Sequence, residues 1–252
     1  MSLFVLFLIF IGLLILLLFI SLTFQQNLYL LFFLLTKKKE KAIRCLSLFL
    51  LPGTVIHEVS HMLIAEILQV PTGEFSFIPE IKDEERVRVG SLKISHSGPI
   101  RRTLIGLAPL AVGLTILTTI FYFQFLPLVQ KPPDIFNQKP VFYWLSAFLC
   151  FLIFIISNTM FSSKKDLEAA FFPFLLIVLV QIALWLGGIK LKISLEQKTY
   201  NFFINVLTSI NSALVFTIVV DLIFLLFIRL ATRFSEKTLK RHLYFRTDEK
   251  DF

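Results

Sequence analysis

Two cysteines and four histidines are all that this 252-residue chain offers of the side chains that most often bind metals. Cys45 and Cys150 stand far apart, with no C-x-x-C spacing. Neither a disulfide framework nor a cysteine-based zinc site is indicated. No polar segment interleaves basic and aromatic residues, so no nucleic-acid surface is indicated. The net charge of +8 belongs instead to basic loops flanking membrane helices. The apolar N-terminus has no basic leader, runs too long and lacks an A-x-A site, so a transmembrane helix is expected there rather than a signal peptide. No internal repeat and no pair of broken helices in two halves is present, which argues against a transporter.

What the chain has in abundance is apolar length. Hydrophobic residues make up 56% of it, and 30 are Phe. Several runs exceed what is needed to cross a hydrocarbon core of about 30 Å. The composition predicts an all-α polytopic membrane protein of about six transmembrane helices, with the lipid bilayer as its immediate partner. The expected spans are 3–20 (apolar again over 28–35), 46–69, 103–127, 141–158, 169–187 and 202–228. Three parts follow: an N-terminal helix and basic connection over 1–45, a membrane core over 46–187, and a C-terminal helix with a basic tail over 188–252.

Between the second and third spans, residues 71–102 form the one long polar connection. Arg86 to Ser95 alternates in polarity with a period near two, as does Glu74 to Ile78, around a charged turn at Lys82-Asp83-Glu84-Glu85. This predicts an amphipathic β-hairpin on the membrane surface. It serves either as a plain connection or as an edge that captures an extended substrate by strand addition. His96 reads as structural or solvated. Lys and Arg are more numerous on the side carrying this loop, Lys164-Lys165 and the tail from Arg229 onward. That places the hairpin and both termini in the cytoplasm of a plasma or inner membrane, against the contrary pull of Lys37 to Lys41.

The second span carries Pro52-Gly53-Thr54-Val55-Ile56-His57-Glu58-Val59-Ser60-His61, an H-E-x-x-H sequence. Pro52-Gly53 is expected to break the helix and Thr54 to cap its restart. On a helix, His57 and His61 share one face and can offer two nitrogens to one metal ion, with Glu58 beside them as a general base. Two His ligands, a third ligand and an open position for water define a catalytic zinc site. The third ligand is expected to be Asp or Glu. Glu66, Asp166, Glu168 and Asp221 are the candidates near membrane depth. Asp221, deep in the last span, reads first as a hydrogen-bond acceptor for a neighbouring helix, and Glu66 as an interfacial carboxylate. In the last span Asn205, Ser209 and Ser212 fall on one stripe, expected to face the bundle. Gly106, Ala108, Pro109, Ala111 and Gly113 in the third span read as close-packing positions rather than as chemistry.

Here the chain resembles the site-2 protease family of intramembrane zinc metalloproteases. That family carries H-E-x-x-H in one transmembrane helix and an N-x-x-P-x-P-x-x-D-G segment opening another. Asn158 and Asp166 stand at the matching offset of eight, Asp166 begins a span, and Gly98-Pro99 opens the helix after the hairpin. Phe161 and Ser163 replace the two prolines, Leu167 replaces the glycine, an arginine at 101 or 102 replaces an asparagine, and no PDZ-like insert is present. The likeness covers roughly 46–187. It implies Zn²⁺ held by His57, His61 and Asp166, with Glu58 as base and Asn158 orienting substrate or stabilising the oxyanion. Its substrates would be transmembrane or membrane-associated proteins. Two other readings stay open: a metalloprotease working at the membrane surface with Glu168 as third ligand, and a non-catalytic metal-binding membrane protein.

Overall fold

A computed structural model of the chain describes residues 3–76, 80–82, 86–88, 91–94, 98–130, 140–161 and 197–239, with isolated positions at 179, 183 and 187. Side chains over 74–97 are not described. The expected span at 169–187 lies almost wholly outside these residues, as do Asp166, Glu168, Lys164, Lys165, His96 and the tail beyond Leu239.

Among the described residues helices dominate, and five are long and apolar enough to cross a membrane, which makes this a membrane protein. α1 runs over Leu3–Thr36 as one unbroken helix of 34 residues, so the polar stretch Ser21 to Asn27 does not interrupt it. The basic connection that follows is much shorter than its charge run. Only Lys37 and Lys38 lie between α1 and α2 (Lys39–Ile67), and Lys37 turns the chain at a φ of 60°. Lys39, Lys41 and Arg44 already belong to the first turns of α2.

Nor does Pro52 end α2. The helix passes through it, and Thr54 caps nothing; its hydroxyl donates back to the Leu50 carbonyl at 3.1 Å within the same helix. Packing explains why. A Cβ on Gly53 would lie 2.9 Å from the Ile155 carbonyl oxygen and collide with the Ile155 and Thr159 side chains. The glycine thus marks the closest approach of α2 to the helix carrying Ile155, and that contact holds α2 straight through a weak local sequence. α2 ends in a Schellman-type turn without glycine: Gln69 takes φ 55°, its N–H donates to Glu66, and Val70 N–H donates to Ala65.

Four short strands follow. β1 (Thr72–Ser76) pairs antiparallel with β4 (Ser91–Ile94), and β2 (Glu80–Lys82) with β3 (Arg86–Arg88). α3 covers Pro99–Ile120, a π-helical turn covers Phe121–Phe125, and α4 covers Leu126–Gln130; together they make one apolar rod. α5 covers Pro140–Thr159 and α6 covers Gln197–Leu239. Phe154 of α5 is the hub of the core. Its ring meets Phe24 of α1 edge-on at 4.5 Å and stacks on Phe224 of α6 at 4.2 Å. Leu17, Leu117, Ile153, Ile155 and Leu214 complete the buried centre.

On α6 the inward stripe is Asn211, Leu214, Ile218, Asp221 and Leu225. Asn205 and Ser212 face outward instead. The hydroxyls of Ser209 and Ser212 are satisfied by the carbonyls of Asn205 and Thr208 one turn back, so they need no partner helix.

A candidate metal centre and a second polar cluster

The buried face of α2 reads Gly53, Thr54, His57, Glu58, Ser60, His61 and Ala65. It packs against α3 and α5, which encloses all three residues of the motif. His57 Nε2 and His61 Nε2 stand 3.2 Å apart, with ring centroids at 4.8 Å and ring planes at 83°. The other nitrogen of His61, Nδ1, lies 2.8 Å from the Ile105 carbonyl oxygen of α3. A carbonyl only accepts, so Nδ1 carries the proton and donates. In a neutral imidazole that leaves Nε2 as the lone-pair nitrogen, and it is the one facing His57.

Two nitrogens bound to one tetrahedral zinc at 2.0–2.1 Å must lie about 3.3 Å apart. The observed 3.2 Å fits that spacing. Histidine ligands also typically donate their outer nitrogen to a carbonyl or carboxylate, as His61 does to Ile105. In the metal-free chain the same distance accommodates a hydrogen bond from His57 Nε2–H to His61 Nε2. The pair therefore fits a zinc ion in spacing, and His61 fits it in tautomer and outer contact as well.

No group of three His, Cys, Asp or Glu residues able to hold a metal comes together among the described residues. Of the four carboxylates considered as third ligand, Glu66 is exposed and Asp221 is engaged elsewhere. Asp166 and Glu168 lie outside the described residues. Glu58 is buried next to His57.

A second polar cluster joins α1, α5 and α6. Asp221 is 0% exposed, and its Oδ1 accepts from Ser157 Oγ at 2.9 Å and Asn158 Nδ2 at 3.4 Å. Asn158 Nδ2 also donates to the Phe154 carbonyl at 2.8 Å. The Asn158 carbonyl lies in the last turn of α5 and accepts from α1. Gln25 Nε2 at 2.8 Å and Ser21 Oγ at 3.2 Å supply the donors from α1. Asp221 is thus the interhelical acceptor its sequence position suggested. The Asn158 side chain meets Asp221 and the carbonyl of its own preceding turn. Sequence reasoning did not foresee Ser157, Ser21 or Gln25 in this role, nor the Ile105 carbonyl. The signal for Ile105 was present: Pro109 stands four residues after it.

Compared with protein-family models, with curated proteins and with solved structures, the chain matches none.

Proposed function

We propose that this protein is a membrane-embedded zinc metalloprotease that hydrolyses peptide bonds of transmembrane or membrane-associated proteins. The observation that carries this reading is the pair of Nε2 atoms at 3.2 Å, with His61 oriented by a backbone carbonyl. A site built only to hold helices together has no use for a glutamate next to it, and Glu58 is buried there.

On this reading His57 and His61 supply two ligands and Asp166 the third, the last by likeness to the site-2 protease pattern. Zinc bound there supplies the polarisation that lets a water attack a peptide carbonyl near neutral pH. Glu58 takes the proton from that water and returns it to the leaving amine. The buried walls from α3 and α5 limit access to the one water the reaction consumes. Residues 71–102 form the amphipathic surface hairpin, whose strand edge holds an unwound segment of substrate. A sixth crossing over 169–187 brings Asp166 to the start of its helix, and both termini are cytoplasmic.

Metal content of the detergent-purified chain tests this. About one zinc per chain in the wild type, lost in His57→Ala and in Asp166→Ala, is the expected result. Retention in Asp166→Ala with loss in Glu168→Ala would move the reading to the surface metalloprotease class. No zinc in the wild type after zinc is supplied would reject it. Glu58→Gln should keep its zinc and cleave no transmembrane substrate that the wild type cleaves.

A further inference from the structure

α3 contains Pro109 ten residues after its start at Pro99. In an α-helix the carbonyl of residue i accepts from the N–H of residue i+4, and proline has no N–H. Pro109 therefore removes the helical donor of the Ile105 carbonyl. Ile105 is 1% exposed, in a helix apolar enough to cross a membrane, so neither water nor lipid offers a replacement. The replacement comes from α2: His61 Nδ1 lies 2.8 Å from that oxygen.

We infer that Pro109 is a positioning residue of the His57–His61 pair: by withdrawing one backbone N–H it hands the Ile105 carbonyl to His61 and fixes that imidazole with Nε2 as its ligating nitrogen. This inference rests on the metal-binding reading above. The approach of the two helices is held independently by apolar packing. Ala65 and Val70 are buried against Ile105, with Ile64 and Leu68 alongside. Ala65 is one turn beyond His61, so the same patch that docks α2 on α3 carries the ring to the carbonyl. In an uninterrupted helix the Ile105 oxygen would point along the axis at the N–H of residue 109. His61 would then compete for an acceptor already engaged, and this carbonyl would no longer fix its tautomer.

Pro109→Ala restores the N–H and separates this role from ordinary packing, because the two make opposite predictions. Alanine is the stronger helix former, so the zinc-free variant should unfold at the same temperature as the wild type or higher. Its zinc affinity, measured by competition with a chelating dye on the full-length chain in detergent, should fall about 10- to 100-fold, the usual effect of removing an outer partner of a ligating histidine. Zinc affinity within twofold of wild type overturns the inference. So does a parallel loss of affinity and thermal stability, which would make Pro109 a packing residue.

A measurement on the wild type stands independently of whether the variant folds. In zinc-free, ¹⁵N-histidine-labelled protein, with the signal assigned by its loss in His61→Ala, His61 should show a protonated Nδ1 and a bare Nε2. The reverse tautomer overturns the inference. Because this spectrum needs neither zinc nor activity, it also separates failures. A wild type that binds no zinc rejects the metalloprotease reading, while the tautomer alone decides whether Ile105 has been made available to His61.

Discussion

Two of the buried polar regions among the described residues spend their polar atoms differently. Between α1, α5 and α6, Ser157, Asn158, Ser21 and Gln25 direct their donors at oxygens of neighbouring or preceding turns, and Asp221 receives two of them. Between α2 and α3, His61 gives its one proton to a backbone carbonyl and turns its other nitrogen towards a second histidine. The first arrangement ties helices together. The second concentrates lone-pair chemistry at one point and uses the neighbouring helix only to aim it. Burial alone does not separate architecture from chemistry, since both regions are buried. What separates them is whether the polar groups reach across to oxygens of several helices or bring two ring nitrogens face to face across one short gap.

If this contrast is right, substitutions in the two regions should fail in different assays. The largest effect is expected from His57→Ala and His61→Ala, which should each weaken zinc binding by at least about 100-fold while leaving the helical circular dichroism of the chain intact; retained zinc would dissolve the distinction. Gly53→Ala comes next. Its Cβ cannot fit against Ile155 and Thr159, so α2 must shift from α5 at a cost of about 1–3 kcal/mol, read as a lower unfolding midpoint. His57 stands one turn further on, so zinc affinity should fall with it, which makes this the one packing change that crosses between the regions.

Asp221→Ala should be purely architectural. It strips the acceptor from Ser157 and Asn158 and should cost about 1–3 kcal/mol in unfolding free energy, with zinc affinity unchanged. A loss of zinc in this variant would join the two regions into one site. The smallest effect belongs to Gln25→Leu, which removes one of two donors to the Asn158 carbonyl. Interhelical hydrogen bonds in membranes average about 0.6 kcal/mol, so a shift near that value is expected in the same unfolding assay.

Much of this was legible in the residues. The apolar runs show the helices, and H-E-x-x-H places its two histidines on one helical face. Three things were hidden, each for a physical reason. Pro52-Gly53 looks like a break because local propensity says so, but the contact of Gly53 with Ile155 is non-local and outweighs it. Asn205, Ser209 and Ser212 look inward-facing because polar groups in lipid need partners. Yet serine can satisfy itself on its own helix, and the stripe that does face the bundle carries Asn211 and Asp221. The role of Ile105 was invisible as a side chain because its carbonyl performs it. Only the proline four residues on betrays that this oxygen is available.

The turn between α1 and α2 has a consequence for how the chain stays oriented. With only Lys37 and Lys38 between two apolar helices, α1 and α2 are joined as a tight helical hairpin. Lys37, Lys38, Lys39, Lys41 and Arg44 all sit at its tip. Dragging five cations through the hydrocarbon after synthesis would cost on the order of 10 kcal/mol even on the mildest insertion scale. That cost opposes any later flip of the hairpin once its charged tip lies on one side of a bilayer.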